Sequence, residues 1–334
     1  MRGKPVERKT SIAVIGTGDY ATRYHIPHLA ANPRADLVAL CSRTQESVAR
    51  SAARFGVQGT YTDYRRLLDR EGLEAVVVSS PHGVHYEQCR AALRRGLHVL
   101  VDKHMVMRSA EWRELMAMAM ERGLVLMPAL NRHLESGNLR ARDLIRSGQM
   151  GEVYFARSLQ VGYPVHGYFT SLHYSGGGPF TGRSSHMAAL IPWLTGWRPA
   201  EVQALATHEP GREVEASGII NVRFTGGQLL QICSVKSGYR FVDEVELIGT
   251  SAALRVANRG AYTPWEPVLT GADGTPQPLS GLGPTVTTTD HFLEVIRGEA
   301  PNRLPAEDGL PNSEIVEAAY ESVRTGQTVR LRWE

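Results

Sequence analysis

The sequence is poor in cysteine and has no long apolar run. Its 334 residues include three cysteines, Cys41, Cys89 and Cys233, which are scattered along the chain. Three isolated cysteines exclude a disulfide framework and a Cys-x-x-Cys metal knuckle, and they favour a reducing compartment. No apolar stretch approaches the ~18–20 residues of a membrane-spanning helix, and no export segment is apparent. We therefore expect a cytoplasmic protein without a membrane partner.

A large excess of charge of one sign is also missing. Lysine and arginine total 37 against 34 aspartate and glutamate residues, which gives a net charge of +3 with histidine neutral. Nucleic-acid-binding proteins usually show a basic stripe with interleaved aromatic side chains. The arginine-rich segments Arg90–Arg95 and Arg140–Arg146 alternate arginine with apolar residues, a pattern typical of solvated helix faces. We expect no nucleic-acid partner.

Metal-binding and hydrolase motifs are absent as well. None of the 12 histidines belongs to a His-x-x-x-His or mixed Cys/His cluster, and there is neither a Gly-x-Ser-x-Gly elbow nor a Walker loop. We predict no metal site. His25 and His28, which flank Pro27, are interpreted as packing or capping residues.

What the sequence does contain, up to residue 128, is an alternation of strand and helix patterns. Short apolar runs typical of strands buried on both faces occur at Ile12–Ile15, Leu37–Ser42, Ala75–Ser79, His98–Val101 and Leu124–Met127. Helical patterns lie between them, at Gln45–Phe55, Tyr64–Asp69, His85–Arg94 and Ala110–Glu121. This alternation predicts an α/β fold with a doubly wound parallel sheet, a Rossmann domain over residues 1–128.

Beyond residue 128 the pattern changes to period-2 strands. The clearest are Val153–Leu159, Glu201–Thr207, Gly218–Phe224, Leu229–Val235 and Asp243–Gly249, with a hairpin turn expected at Gly226-Gly227. Helices are predicted at Gly137–Ser147, Asp290–Arg297 and Leu310–Thr325, a surface loop at Ala261–Pro284 and a last strand at Val329–Trp333. Residues 129–334 are thus predicted to form an α+β domain with a large, mostly antiparallel open sheet.

A glycine-rich turn follows the first predicted strand. Gly16-Thr17-Gly18-Asp19-Tyr20-Ala21 places glycines where a pyrophosphate must approach the backbone, and a small residue where the helix packs on the strand. The start of the following helix offers unpaired N–H groups to the phosphate. The alternative is a purely structural turn. Because strand and helix flank the motif, we predict a dinucleotide site that includes all six residues.

The end of the second strand bears on the choice of cofactor. A carboxylate there would bond the adenosine ribose and repel a 2′-phosphate, but the sequence reads Ser42-Arg43-Thr44. Arg43 can pair with a phosphate, while Ser42 and Thr44 can donate hydrogen bonds. We predict NADP. The alternative is that Arg43 is a surface cation and NAD binds.

Two further strand ends carry polar residues. Ser80, Pro81, His82 and His85 follow the strand that ends at Ser79, and Asp102-Lys103-His104 closes the next one. Both positions fall where an open α/β sheet places its ligand crevice. Lys103 can hold a substrate hydroxyl and assist proton transfer; the alternative is a solvated lysine paired with Asp102. We predict that the cofactor contacts Ser80, Pro81, His82, His85, Asp102 and Lys103.

Over nearly its whole length the chain resembles the glucose–fructose oxidoreductase, inositol dehydrogenase and rhizopine-catabolism (Gfo/Idh/MocA) family. The segments that carry the resemblance are Ala13-Val14-Ile15-Gly16-x-Gly18, Ser80-Pro81-x-x-x-His85, Lys103, Ile145-x-x-Gly148-x-x-Gly151-Glu152-Val153, Gly176-Gly177-Gly178 with His186, Ile248-Gly249-Thr250 and Glu317-Ala318-Ala319-Tyr320-x-Ser322. The resemblance implies a Rossmann domain followed by an open α/β sheet that mediates oligomerisation, here as a homodimer or homotetramer. It also implies NAD(P)-dependent oxidation or reduction at a sugar or cyclitol carbon.

The resemblance further implies that Lys103 and His186 are catalytic, with Lys103 holding the reacting oxygen and His186 exchanging its proton. The chain departs from the family at four residues. Asp102 and His104 replace the glutamate and the proline of the family's Glu-Lys-Pro motif, and with histidine at 104 we expect a trans peptide after Lys103. Gly182 and Ala189 stand where the family often has carboxylates beside the catalytic histidine.

Other residues are candidates for the substrate site. Asn131 and Arg132 follow the last Rossmann strand, and the segment leading to His186 holds Tyr163, His166, Tyr168, His173 and Tyr174. Aromatic and histidine side chains stack on pyranose rings and bond hydroxyls; the alternative is a surface loop with ordinary packing. Two other functions stay open: a redox-neutral lyase or glycosidase that retains its cofactor, and a non-catalytic NADP-binding protein.

Overall fold

The computed structural model describes residues 8–162, 167–236, 241–258, 260 and 263–331. Among these residues the chain divides into two compact units. The first takes in the chain up to Val106 together with Ala110–Ala129 and Thr287–Glu307, and the second Met107–Ser109, Leu130–Val286 and the chain from Asp308 onward. Residues 287–307, which the sequence assigns to the second domain, thus pack within the first unit.

The first unit contains a parallel six-stranded sheet. Its strands are β1 (Thr10–Ile15), β2 (Ala35–Cys41), β3 (Gly59–Tyr61), β4 (Ala75–Val78), β5 (His98–Asp102) and β6 (Leu126–Ala129). They lie in the order β3-β2-β1-β4-β5-β6, and every neighbouring pair is parallel. All residues of β4 and β6 are buried, as in a sheet covered on both faces. The predicted Rossmann topology is confirmed, with its order reversing between β1 and β4.

The second unit contains a nine-stranded sheet. Its strands are β7 (Val153–Gly162), β8 (Pro199–His208), β9 (Glu215–Phe224), β10 (Leu229–Lys236), β11 (Val242–Gly249), β12 (Ala252–Asn258), β13 (Glu266–Gly271), β14 (Pro276–Pro278) and β15 (Val329–Arg330). Their order is β14-β13-β12-β11-β7-β10-β9-β8-β15. Neighbours are antiparallel except β7 and β10, which are parallel. The predicted mostly antiparallel sheet is confirmed.

Helices accompany both sheets. They are α1 (Ile26–Ala31), α2 (Gln45–Phe55), α3 (Tyr64–Leu68), α4 (His85–Arg94), α5 (Ser109–Glu121), α6 (Asn131–Leu134), α7 (Ser136–Arg146), α8 (Leu172–Ser175), α9 (Ser185–Thr195), α10 (Thr288–Ile296) and α11 (Leu310–Thr325). A π-helical turn, Ala21–His25, leads into α1, and another, Phe180–Ser184, leads into α9. The side chain of Thr44 caps α2 by accepting the N–H of Ser47 at 3.3 Å.

Helix α9 is the central helix of the second unit and has no counterpart in the sequence prediction. It packs on α7 and α11, and its residues from Met187 to Leu194 are all buried. A helix that is apolar all round shows no helical period, and Pro192 lies within it. Those two features conceal α9 from periodicity analysis.

Two other expectations need correction or qualification. Ala261–Pro284 was expected to be a surface loop, but the described part of that segment forms β13 and β14, because both strands extend the edge of the sheet beyond β12. The last strand is shorter than predicted, Val329–Arg330, and residues 332–334 lie outside the described residues. In the described part of the chain no helix is both long and apolar enough to cross a bilayer.

Candidate active site

The glycine turn after β1 is closed against the end of β4. Gly16 has φ of +105°, and a Cβ at this position would stand 2.2 Å from the carbonyl oxygen of Ser79. A side chain is therefore excluded both by conformation and by space. At Gly18, by contrast, a Cβ would meet no atom within 4 Å. The turn is rigid at its first glycine and has room beside its second, as close approach of a phosphate to the backbone requires.

Backbone hydrogen bonds hold three strand ends together around this turn. The N–H of Gly16 donates to the Cys41 carbonyl at 2.9 Å, and that of Ser79 donates to the Ile15 carbonyl at 2.8 Å. The carboxyl ends of β1, β2 and β4 thus meet where the strand order reverses, the usual ligand crevice of such sheets. The residues of the glycine turn and the adjoining strand ends fit the binding of a nicotinamide dinucleotide. Gly16–Gly18 and the helix start at Asp19 would hold its pyrophosphate, and the bound group would supply or accept a hydride.

Residues 42–44 follow β2 directly and lie on the same edge. Arg43 is exposed, while Thr44 is committed to capping α2. The nearest acid in sequence, Glu46, forms an ion pair with Arg50 one helical turn along, at 2.5 Å. Thr17, in the glycine turn, shares a hydrogen bond of 2.9 Å with Ser47 and so ties the turn to the start of α2.

The remaining residues of the predicted turn lie at the start of the helix. Asp19 pairs with Arg23 at 2.6 Å on the surface. Tyr20 stacks on Tyr24, with ring centroids 5.2 Å apart. Ala21 is buried, as expected of the small residue at which the helix packs on the sheet.

A buried polar network that sequence reasoning missed lies beneath the end of β5. His25, which is fully buried, contacts Oδ1 of Asp102 through Nε2 at 2.8 Å and Oγ1 of Thr289 through Nδ1 at 2.7 Å. The hydroxyl of Ser79 donates to the other oxygen of Asp102. The interpretation of His25 as a packing or capping residue is therefore incomplete. Its position one helical turn beyond Ala21 is the signal that could have placed it against the sheet.

This network fixes the charge of the carboxyl group that precedes Lys103. Burial by itself would raise the pKa of Asp102, but the charge and hydrogen bond of His25 and the hydrogen bond of Ser79 together hold it below its ordinary value. Asp102 is thus an ionised, immobile side chain at neutral pH. Lys103 follows it in sequence at the carboxyl end of β5.

The loop after β4 is organised by His85. Its Nε2 lies 2.6 Å from the Ser80 carbonyl oxygen and its Nδ1 3.1 Å from that of His104. Burial lowers the pKa of His85, so the ring is neutral and donates one of these hydrogen bonds. His82 is buried edge-on against it, with centroids 5.8 Å apart. Ser80 donates its hydroxyl to Oε1 of Gln88 at 2.6 Å.

The backbone beside Lys103 differs from expectation. The Lys103–His104 peptide is cis, so the expected trans geometry is wrong. The His104 side chain is completely buried, and its carbonyl oxygen lies against His85. Tertiary surroundings thus determine this peptide, whereas the expectation rested on the local preference of a non-proline residue. Pro81, in the neighbouring loop, precedes a short 3₁₀ turn, His82–Val84.

In the second unit, His186 is the second residue of α9. Across the continuously described stretch 177–194, only Gly182, Arg183 and His186 are partly exposed. We call these three residues the α9 window. A Cβ at Gly182 would meet nothing within 4 Å, whereas Ala189 is buried. A Cβ could therefore be added at position 182 without displacing a neighbour.

A buried carboxylate that the sequence did not reveal anchors the segment leading to His186. Glu215 accepts the backbone N–H groups of Gly178 and Phe180 at 2.9 and 2.8 Å, and the hydroxyl of Tyr320 at 2.9 Å. Burial, followed by the charge of Glu215, raises the pKa of Tyr320, so that its hydroxyl remains a donor. The period-2 pattern that marks β9 gives no hint that its first residue is buried.

The other predicted substrate residues are divided. Tyr163 and His166 lie outside the described residues. His173 is exposed and packs edge-on against Tyr174, with centroids 4.8 Å apart. The remaining members are placed as follows: Tyr168 stacks on Phe169, Asn131 begins α6, and Arg132 gives both oxygens of the buried Asp243 a hydrogen bond. Within the described residues no group of three or more His, Cys, Asp or Glu side chains could hold a metal ion.

Comparisons with known proteins agree with this architecture. A family model described as "Oxidoreductase family, NAD-binding Rossmann fold" matches residues 10–130, and its companion "Oxidoreductase family, C-terminal alpha/beta domain" matches residues 142–331. The chain is 32% identical over 260 residues to dTDP-3,4-didehydro-2,6-dideoxy-alpha-D-glucose 3-reductase of Streptomyces antibioticus, covering 76% of each protein. It is 24% identical to D-glucoside 3-dehydrogenase of Escherichia coli K12, covering 96% of the chain and 97% of that relative.

The fold also matches solved structures. Aldose-aldose oxidoreductase from Caulobacter crescentus superposes with a TM-score of 0.85 at 24% identity, covering 97% of this chain and all of that one. Both halves of the family model are matched in chain order, and they span the two sheets described above. The chain therefore belongs to the Gfo/Idh/MocA oxidoreductase family and is a nicotinamide-dependent dehydrogenase or reductase that acts on CH–OH groups.

Proposed function

We propose that the protein is an NADP-dependent oxidoreductase that transfers a hydride to or from a sugar- or cyclitol-like alcohol or ketone. The observation that carries the proposal is the edge where β1, β2 and β4 end together, with the open side of Gly18 and the exposed Arg43 on it. The sugar substrate is supported by the names of the two relatives above, a sugar 3-reductase and a glucoside 3-dehydrogenase.

The preference for NADP rests on charge. Arg43 is a cation at the end of β2, and positions 42–44 hold no carboxylate that would repel a 2′-phosphate. A guanidinium can bind a phosphate through two parallel hydrogen bonds. Ser42 lies on the same edge of the sheet and offers a hydroxyl group to the adenosine end of the cofactor.

The proposed chemistry gives Lys103 and His186 the roles that the family resemblance implies for them. Lys103 holds the reacting oxygen, since it follows the immobilised Asp102 at the carboxyl end of β5. His186 takes up or returns the proton of that oxygen, since it is partly exposed on an otherwise buried helix. A histidine side chain can accept a proton in one direction of the reaction and donate it in the other.

A substrate panel followed at 340 nm, with NAD and NADP and in both directions, tests the reaction class. Lys103→Ala and His186→Ala should each lower the rate by about 10²–10⁴-fold while cofactor binding is kept. Product formed without net turnover of the cofactor would support a redox-neutral lyase or glycosidase instead. If His186→Ala retains its rate within a few-fold, the proton role passes to Lys103, His173 or Tyr174, or to Tyr163 or His166.

Cofactor choice has its own test. Arg43→Ala should weaken NADP binding by about 1.5–3 kcal/mol and leave NAD binding nearly unchanged. Arg50→Ala is the matched control, because Arg50 is an exposed arginine on α2 that pairs with Glu46. Tighter binding of NAD than of NADP by the unaltered protein would reject the preference.

We also propose that the outer face of the nine-stranded sheet forms a homodimer or homotetramer interface. Leu205, Ile219, Cys233 and Leu159 lie side by side in register across β8, β9, β10 and β7. Leu205 is 72% exposed in the isolated chain. Light scattering of Leu205→Glu should show dissociation, whereas Met120→Glu, at an exposed methionine on α5, should leave the assembly intact. An unaltered protein that is monomeric would contradict the proposal.

A further inference from the structure

A row of buried polar side chains crosses the inner face of the nine-stranded sheet. Ser234 on β10, Gln160 on β7 and Asp243 on β11 are paired in register, and all three are buried. The Ser234 hydroxyl donates to Oε1 of Gln160 at 3.4 Å, and Nε2 of Gln160 donates to Oδ1 of Asp243 at 3.2 Å. Ser184, at the end of the π-helical turn before α9, shares a hydrogen bond of 2.7 Å with Ser234. The row therefore lies directly beneath the start of α9.

Arg132 contacts the single carboxylate of this row, and Arg183 lies within its electrostatic influence. Arg132 donates to both oxygens of Asp243 and lies over the ring of Trp265, with 5.0 Å between Cζ and the ring centroid. Arg183 reaches the same region from the π-helical turn. Its guanidinium lies against the backbone of Gly162, so closely that a Cβ on Gly162 would stand 1.7 Å from its Cζ. Both oxygens of Asp243 therefore accept hydrogen bonds from Arg132.

Asp243 acts electrostatically on both arginines. Burial lowers the pKa of the Arg183 guanidinium, and the attraction of Asp243 acts against that shift. Burial also lowers the pKa of the Arg132 guanidinium, and the negative charges of Asp243 and Glu135 act against that shift. Glu135 is itself partly buried and accepts the hydroxyl of Thr285 at 3.2 Å. Desolvating a cation is costly unless an anion compensates it, and Asp243 is an anion that acts on both arginines.

Within the described stretch 177–194, the α9 window is the part that is partly exposed. Arg183 is flanked there by Gly182, whose missing side chain leaves open space, and by His186 one turn further along. A π-helical turn such as Phe180–Ser184 is rare and often marks a functional site. The proposed proton-exchanging histidine and a guanidinium thus share one accessible face of a buried helix.

We infer that Arg183 recognises a negatively charged group of the substrate, a carboxylate or a phosphate, at a subsite floored by Asp243 and Gln160. The inference rests on the proposed function, because it assigns this face to the substrate. Arg132 and Asp243 form the fixed base against which the Arg183 guanidinium is held. The planar fork of an arginine suits the two oxygens of such a group. The preferred substrate is then an acidic or phosphorylated sugar.

Binding and turnover should be measured separately. Titration calorimetry of the cofactor-loaded protein with D-glucuronate, D-glucose 1-phosphate and D-glucose measures recognition without requiring hydride transfer. We expect at least one of the two anionic sugars to bind at least tenfold more tightly than glucose. The two anions distinguish a carboxylate from a phosphate as the recognised group. The kcat and KM of each sugar that turns over are then determined at low and at physiological ionic strength.

Three variants probe the subsite. Arg183→Ala should weaken binding of the preferred anion by about 10- to 100-fold and change glucose binding less than threefold. Arg183→Lys should recover part of the loss, because it keeps the charge but not the fork. Gly162→Ala should weaken binding without removing any charge, because the new Cβ displaces the guanidinium. Arg157→Ala is the control, since Arg157 is an exposed arginine on the same strand that pairs with Glu246 at 2.6 Å.

The outcomes separate this inference from the proposed function. Turnover of a neutral sugar, with no preference for either anion or with equal losses for anion and glucose in Arg183→Ala, overturns the inference and leaves the oxidoreductase standing. Failure of both anions to bind also overturns the inference. Binding of an anion that depends on Arg183, without any hydride transfer across the panel, supports the subsite and counts against the proposed function.

Discussion

The two sheets bury polar groups in different ways. In the parallel sheet β4 is apolar throughout, and the buried polar network of His25, Asp102 and Ser79 lies at the strand ends. In the nine-stranded sheet the strands alternate, and Gln160 and Ser234 are buried within β7 and β10, two residues before the last residue of each strand. A sheet covered on both faces leaves only its edge for chemistry, whereas a sheet with one inner face can carry polar groups along it.

A substitution in the glycine turn should give the largest loss of stability, because the edge of the parallel sheet is tightly packed at Gly16. Gly16→Ala places a Cβ 2.2 Å from the Ser79 carbonyl oxygen, at a φ that L-residues rarely adopt. We expect a loss of more than about 3 kcal/mol in the free energy of unfolding. Urea denaturation provides the measurement. Gly18→Ala is the control, with a change below about 1 kcal/mol; equal losses at both positions would show that the contact with Ser79 is not the cause.

The network at the end of β5 comes next. His25→Ala leaves Asp102 buried without its partner and should cost about 3 kcal/mol at pH 7. The pKa of Asp102 is depressed in the folded protein, so its contribution to stability exists above its unfolded pKa and disappears as the pH falls through the folded value. In His25→Ala this contribution is removed or reversed, so the loss relative to the parent should be smaller under acidic conditions.

Urea unfolding of both proteins across the acidic range tests this expectation. His28→Ala is the matched control, because His28 is a partly exposed histidine on the next turn of the same helix, 3.9 Å from Asp290. His25→Gln, which keeps a donor, should recover part of the stability. A loss in His28→Ala as large as that in His25→Ala would rule out the proposed role of the buried pair.

His133, a buried histidine of the second unit, should make the stability of the protein depend on pH through its own titration. His133 packs on the ring of Trp193, with centroids 4.6 Å apart, and neither ring nitrogen has a hydrogen-bond partner within the described residues. Burial, with the charges of Arg142 and Arg132, lowers its pKa from 6.5 to about 3. Between these values the unfolded chain binds the proton and the folded protein does not, so stability falls as the pH falls below about 6.5.

Through His133 alone, the free energy of unfolding should fall by about 1.4 kcal/mol for each pH unit over this range. His133→Phe keeps an aromatic ring and cannot bind a proton, so its stability should depend less on pH over that range. Urea unfolding at several pH values compares the two proteins. Parallel pH dependences would mean that His133 does not set the acid sensitivity.

The smallest effect is expected in the α9 window. Gly182→Asp introduces a Cβ into open space at an ordinary backbone conformation, so the free energy of unfolding should change by less than about 0.5 kcal/mol. The new carboxylate should raise the pKa of His186, because an opposite charge favours the protonated ring, and shift the pH–rate profile upward. Gly182→Asn is the control. A destabilisation like that of Gly16→Ala would show that the window is closed.

The sequence by itself determined the elements whose local signals agree with their packing. The β1–turn–helix unit was predicted from Gly16-Thr17-Gly18, and α2 from its helical pattern, because these signals depend on neighbours in the chain. The doubly wound parallel sheet was predicted from the repetition of strand and helix, whereas the order of its strands comes from the structure. The family, and with it the class of reaction, could be inferred from motifs spread over both units.

Only the tertiary structure decided what depends on distant partners. Asp102 is ionised and immobile because His25 and Thr289, far apart in sequence, meet beneath β5. Arg183 becomes a candidate anion-binding residue only because β7 and β11 place Gly162 and Asp243 beside it. The periodicity of a sequence predicts on which face of a strand or helix a side chain lies. It does not predict which charged groups from distant segments lie on the same face. Those contacts arise from long-range strand pairing and helix packing, which is why the sequence could not reveal them.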